Sequence, residues 1–207
     1  MEDGLLSLTK DFGEVTLDSF MPDGIIKELP IIGSAFSVLK IGRDIHDRIF
    51  LEKIKSFIEQ IDKNQKWQEK FRDDEECIKI SKQLLYIVNS CDDDNKLKLI
   101  GMAFNYFVNE EISKDKFFYT VNIISKAFYP FLEILLDIEE SDYRFKNDGT
   151  KYDYVGIAHL LNIGALDYDG QTMAVFDSTT GVESPPSMIV ALNVYSEFLR
   201  KLLNKLN

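Results

Sequence analysis

From Ile41 onward the apolar residues of this chain fall at Ile45, Ile49, Phe50, Ile54, Phe57, Ile58 and Ile61, recurring at steps of three and four. That spacing puts one apolar stripe along a helix of 3.6 residues per turn. Arg43, Asp44, Asp47, Arg48, Glu52, Lys55 and Glu59 take the other positions, mixed in sign, and read as an ordinary solvated face. Upstream, residues 29–39 (LPIIGSAFSVL) run for eleven positions without a charge. Pro30 suits the first turn of a helix, so the pattern predicts a helix over residues 30–61, with Gly33 and Gly42 marking close contact or a bend. A helix apolar on all sides has to be covered by something. Leu29, Ile32, Phe36 and Leu39 are therefore the first candidates for an interaction surface, with burial in the protein's own core as the competing reading.

Residues 1–24 alternate short apolar runs with Asp, Glu and Gly, sustain no period, and read as an arm. Residues 62–76 are charged around Trp67 and Phe71, which are four apart and suit a short anchoring helix; Trp67 joins the interaction candidates. The next helix ends near Ser90, with Ile80, Leu84, Ile87 and Val88 as its buried stripe. Asp92, Asp93, Asp94 and Asn95 break it and cap another, which carries Leu97, Ile100, Ala103, Phe104, Phe107 and Val108. Ser113 then introduces a helix with Phe117, Phe118, Val121, Ile124 and Phe128, ended or kinked by Pro130 before FLEILLDI resumes. Residues 141–151 lose the helical period and read as a linker between a helical body over 25–140 and a smaller end over 152–207.

In that end the pattern predicts a helix over 154–162 stopped near Gly164, then a hairpin over 165–176 turning at Asp169-Gly170. Ser184-Pro185-Pro186 reads as the start of a closing helix to about residue 206. The stretch LLNIGALDYDGQTMAVF and the helix after it resemble the wing end of a winged-helix domain. The resemblance implies a small α+β end with one β-hairpin and transfers no active site. The whole chain also resembles small bacterial helical proteins that pair an LPIIG-type apolar start with a helical body and such an end. That likeness implies a bacterial conflict or mobile-element setting and brings no chemistry with it. The expected fold class is mainly α, a helical bundle body with a winged-helix-like end.

Composition narrows the function. At 207 residues and 45% hydrophobic, the chain can bury a substantial core. Its formal net charge of -11 argues against a protein built to neutralise nucleic-acid phosphates. The helix before the wing and the wing itself carry no Lys or Arg, and residues 141–207 hold six basic residues against eight acidic ones. Nucleic-acid binding is therefore a third reading, with few side chains for base-edge contacts. Cys77 and Cys91 lie fourteen positions apart in or beside one expected helix, a separation of roughly 20 Å, too far for a disulfide. The segment MEDGLLSLTKDFGEV lacks the basic start and apolar run of a signal peptide, and the eleven uncharged residues fall short of the roughly 20 a spanning helix needs. A cytoplasmic protein is expected.

No catalytic motif stands out. His46 and His159 belong to no H-x-x-x-H or H-E-x-x-H spacing, the Asp92–Asp94 run lacks the alternation and glycine of a calcium loop, and neither cysteine has an identifiable histidine partner. No catalytic residue, cofactor or metal is expected. The reading is a non-catalytic interaction or regulatory module acting through a protein partner or a homo-oligomer, with a membrane-perturbing effector built on residues 25–42 as the alternative. That alternative lacks the basic face of an interfacial helix.

Overall fold

The structure is a computed structural model that describes residues 45–61, 74–138, 143–146, 151–171, 175–177, 182–184 and 187–206. The interaction candidates Leu29, Ile32, Phe36, Leu39 and Trp67, the arm, the membrane-active alternative over 25–42 and the first half of the expected 30–61 helix lie outside the described residues, as do the side chains of His46 and Cys77. Among the described residues the protein is mainly helical, with seven helices and a small α+β end. Contacts divide the chain into two compact units, Met1–Ser113 and Lys114–Asn207.

Unit 1 contains α1 (Ile45–Ile58), α2 (Asp74–Ser90) and α3 (Asp94–Val108), with α1 packed on both of the others. Its core takes up most of the expected stripes: Ile54, Phe57 and Ile58 from α1, Ile80, Leu84 and Val88 from α2, and Leu97, Ile100, Phe104 and Phe107 from α3 are buried, whereas Phe50, Ile61 and Ile87 are half-buried and Ile49 is exposed. The Phe57 and Phe104 rings meet edge to face at 5.8 Å. Gly101 lets α1 and α3 approach closely. A Cβ there would collide with the backbone oxygen of Phe57 and come within 2.8 Å of the Gln60 Cβ. Asn105 Nδ2 donates to the Gln60 carbonyl at 2.6 Å, satisfying a backbone acceptor just past the end of α1.

Unit 2 contains α4 (Lys114–Lys126), α5 (Tyr129–Asp137), β1 (Tyr143–Lys146), α6 (Lys151–Asn162), β2 (Leu166–Gln171), β3 (Val175–Asp177), β4 (Val182–Ser184), β5 (Ser187–Leu192) and α7 (Val194–Leu206). Helix α7 packs on α4, α5 and β5, while α6 packs on α5 and β2. Helices α4 and α5, expected in the body, thus belong with the C-terminal elements. The break between them falls at Ala127 and Phe128, and Pro130 sits in the first turn of α5, where its missing N–H costs nothing. Phe128, expected on the buried stripe of the preceding helix, is exposed because that helix stops at Lys126. Part of the expected linker is a strand. Residues Tyr143–Lys146 replace the helical period with a two-residue alternation, and they pair antiparallel with β5.

The wing is a hairpin, but its arms and tip differ from the sequence expectation. Strand β2 runs straight through Asp169-Gly170, which forms a bulge: Tyr168 faces Val190 and Gly170 faces Ile189, leaving Asp169 as the extra residue. Gly170 has φ 155°, a conformation that residues with a Cβ rarely adopt. The Asp-Gly signal reports a need for positive φ, and a bulge meets that need as well as a tight turn does. Strands β1, β5 and β2 form one antiparallel sheet in that order, and β3 pairs antiparallel with β4 as a separate two-stranded sheet, Val175 facing Ser184. The chain reverses between Asp177 and Val182. Ser184-Pro185-Pro186 does not start a helix. The β-branched Ile189 and Val190 continue as strand β5, and α7 begins only at Val194.

Candidate functional site

The feature with the clearest surface chemistry among the described residues is a groove in unit 1, between α1 and the turn from α2 into α3. Helix α1 contributes Ile49, Glu52, Lys53 and Ser56, spaced so that they share one side; the turn contributes Cys91, Asp92, Asp93 and Asp94, and α3 adds Leu97. Together they line a cavity of about 350 Å³. Ile49, which its spacing assigns to the buried stripe of α1, is 51% exposed at the lip of this groove.

The turn is held from several sides. Lys53 Nζ donates to the carbonyl of Asn89 at 2.7 Å, placing a cation at the C-terminus of α2, where the helix dipole favours it. Asp93 adopts an extended backbone and caps α3, its carboxylate accepting from the N–H groups of Asn95 at 2.8 Å and Lys96 at 3.4 Å. Lys96 folds back so that its ammonium meets Asp92 Oδ1 at 2.6 Å, and Lys98 meets Asp94 Oδ2 at 2.8 Å. The pairs are lopsided. Lys96 is 2% exposed while Asp92 is 74% exposed; Lys98 is 30% exposed while Asp94 is 57% exposed. The Lys96 side chain lies inward, and the carboxylates of both pairs face water.

These contacts set the ionisation of the groove. The hydrogen bond from Lys96 holds the Asp92 carboxyl below its usual range, and hydrogen bonds from Lys98 and the Ser56 hydroxyl do the same for Asp94. The ammonium of Lys98 is in turn held above its usual range by Asp94. Burial pushes the Cys91 thiol up to about 11, and the nearby ammonium groups of Lys96 and Lys53 pull it down only partly. A thiol in that state is protonated at neutral pH and is a poor nucleophile. Cys91 is buried and forms no disulfide. The acidic run thus provides a helix cap and two ion pairs, and among the described residues no three His, Cys, Asp or Glu side chains gather as metal ligands would.

His159 has a different task in unit 2. Its Nε2 accepts from the backbone N–H of Phe128 at 3.2 Å, and its ring lies 5.4 Å from that of Phe131, so it ties α6 to the start of α5. Close packing of the same two helices relies on Gly156, where a Cβ would collide with Ile134.

The sequence pattern alone makes Ile49 core and Glu52 part of a neutral solvated face. A signal of the groove is present in the width of the stripe: Ile49 and Phe50 are neighbours about 100° apart around a helix, so one of them must sit at its edge. The burial of Lys96 has no signal beyond its four-residue spacing from Asp92. Comparison with family models, curated proteins and solved structures finds no match to this chain.

Proposed function

We propose that this protein is a non-catalytic interaction module acting through a protein partner, and that the groove between α1 and the α2–α3 turn is where the partner sits. One observation carries the reading: an exposed Ile49 stands at the lip of a groove whose wall backs onto the buried Cys91 and Leu97, beside carboxylates that face outward. Surfaces of this kind, an apolar centre with a charged rim, suit recognition. The neighbouring groups are matched to that role and poorly matched to chemistry, since the thiol is kept neutral and the carboxylates are kept ionised and bonded. A partner of another sequence is favoured over a second copy, because chains with a net charge of -11 repel one another, most of all across an acidic rim. The reading places the protein in a reducing, cytoplasmic setting, in keeping with the free thiol of Cys91; no described helix is long and apolar enough to cross a membrane.

The full-length chain and its Ile49→Ser variant, used as bait in extract of the native host, test this reading. A partner held by the parent chain and lost by a variant with unchanged melting supports it. Equal capture by both overturns the assignment of the groove.

A further inference from the structure

We propose that the groove docks a basic segment, which sets an apolar side chain against the exposed Ile49 and a Lys or Arg side chain against the carboxylates of Asp92 and Asp94. The inference rests on the interaction reading above and narrows it to one chemistry.

The argument comes from where the charges sit. Counted by formula, the groove and its ion pairs are nearly balanced, with Glu52, Asp92, Asp93 and Asp94 opposed by Lys53, Lys96 and Lys98. Counted by what a visitor meets, they are acidic. Lys96 is buried beneath Asp92, Lys53 is half-buried with one of its ammonium protons on the Asn89 carbonyl, and Lys98 meets the solvent beside Asp94. The carboxylates of Asp92 and Asp94 lie outermost, beside an exposed Glu52. An ionised carboxylate offers about four acceptor positions, so one bond to a lysine leaves room for a second donor. Both stay ionised well into the acid range because their lysine partners hold them there. An acidic or phosphorylated partner would meet like charge at the rim, and a purely apolar one would leave the rim unused. Exposed apolar surface in the groove is confined to Ile49, so a single aliphatic or aromatic side chain flanked by cations covers it.

Three synthetic amphipathic peptides with one leucine spacing and Lys, Gln or Glu on the polar face provide the probes. They are titrated into the full-length chain while the amide resonances of Ile49, Cys91 and Leu97 and the methyl resonances of Ile49 and Leu97 are followed by NMR. The lysine peptide is expected to shift these resonances and to bind at least about tenfold more tightly than the glutamine peptide, a gap that closes between roughly 50 mM and 500 mM salt. Ile49→Ser should weaken its binding, and Asp94→Asn should reduce its salt dependence, both with melting unchanged. Equal binding of the lysine and glutamine peptides overturns the charge inference while leaving the groove as an interaction site. Preference for the glutamate peptide, or no shift by the lysine peptide up to about 1 mM, overturns it too, and the host-extract comparison then decides separately whether the groove is used. Concentration-dependent shifts of the same resonances without peptide would assign the groove to a second copy and overturn it as well.

Discussion

The turn from α2 into α3 in unit 1 and the turn from β5 into α7 in unit 2 are both polar corners leading into a helix, and they use their polar atoms in opposite ways. In unit 2 everything closes inward. Asn193 Oδ1 accepts from the N–H groups of Tyr195 at 3.0 Å and Ser196 at 3.1 Å, while its Nδ2 donates to the Gly164 carbonyl and to Asp167 Oδ1. Ser196 is buried, and its hydroxyl accepts from the N–H of Asn193 at 2.7 Å, a reciprocal cap in which each side chain serves the other's backbone. In unit 1 only Asp93 is spent on the helix; Asp92 and Asp94 anchor buried or half-buried lysines and still face water. A polar corner whose donors and acceptors are consumed by its own chain is architecture. One that leaves charge at the surface beside an exposed Ile49 has something left to offer a visitor.

Substitutions should separate the two corners by size of effect. The largest loss is expected for Asn193→Ala, which removes a cap and two cross-links at once; about 2 kcal/mol of unit 2 stability should disappear in a denaturant titration. A loss below about 0.5 kcal/mol would show that the corner is held by packing alone.

The helix ends provide a second pair. Helices α3 and α6 close with the same hydrogen-bond pattern: Glu110 N–H to the Phe107 carbonyl and Glu111 N–H to Tyr106 in one, Gly164 N–H to Leu161 and Ala165 N–H to Leu160 in the other. The left-handed residue is Gly164 with φ 77° in α6 and Glu110 with φ 61° after α3. Only the first is suited to it. Glu110→Gly should stabilise unit 1 by about 1 kcal/mol, and Gly164→Ala should destabilise unit 2 by a similar amount. A lower melting temperature for Glu110→Gly, or a higher one for Gly164→Ala, would sink this account of the two ends.

Smaller still is Asp94→Asn. The pair it breaks is largely exposed, so stability should fall by no more than about 0.5 kcal/mol, in contrast to Asn193. Cys91 supplies a pH dependence with a definite sign. Its folded-state pKa of about 11 lies above the ordinary 9.0, so its contribution to stability is intact below pH 9 and drains away as the pH climbs from 9 to 11. In a Cys77→Ser background the thiol should resist a disulfide reagent at about pH 8 when folded and react at once in denaturant; rapid native labelling would contradict the burial.

Much of unit 1 is readable in the sequence because amphipathic helices announce themselves by period: Ile54, Phe57, Leu84, Phe104 and Phe107 all lie where their spacing puts them. The end of α6 is readable too, through Gly164. Features escape where one local signal serves two structures. Asp169-Gly170 marks positive φ without distinguishing turn from bulge, and Ser184-Pro185-Pro186 marks a break without distinguishing a helix from a strand on its far side. Glu110 gives no signal at all, since its left-handed conformation is imposed by the closing hydrogen bonds around it. The groove is hidden for another reason: it depends on the depth of Lys96 beneath Asp92, a matter of packing that no spacing rule encodes.

The most direct test of the central claim compares unit 1 with unit 2 in one binding experiment. With the partner recovered from the host, the dissociation constant is measured for the parent chain, for Ile49→Ser in the groove and for Val194→Ser at an equally exposed aliphatic position on α7. The groove account predicts at least about tenfold weaker binding for Ile49→Ser and no change for Val194→Ser, with both variants melting as the parent does. Unchanged binding by Ile49→Ser, or loss confined to Val194→Ser, would contradict it.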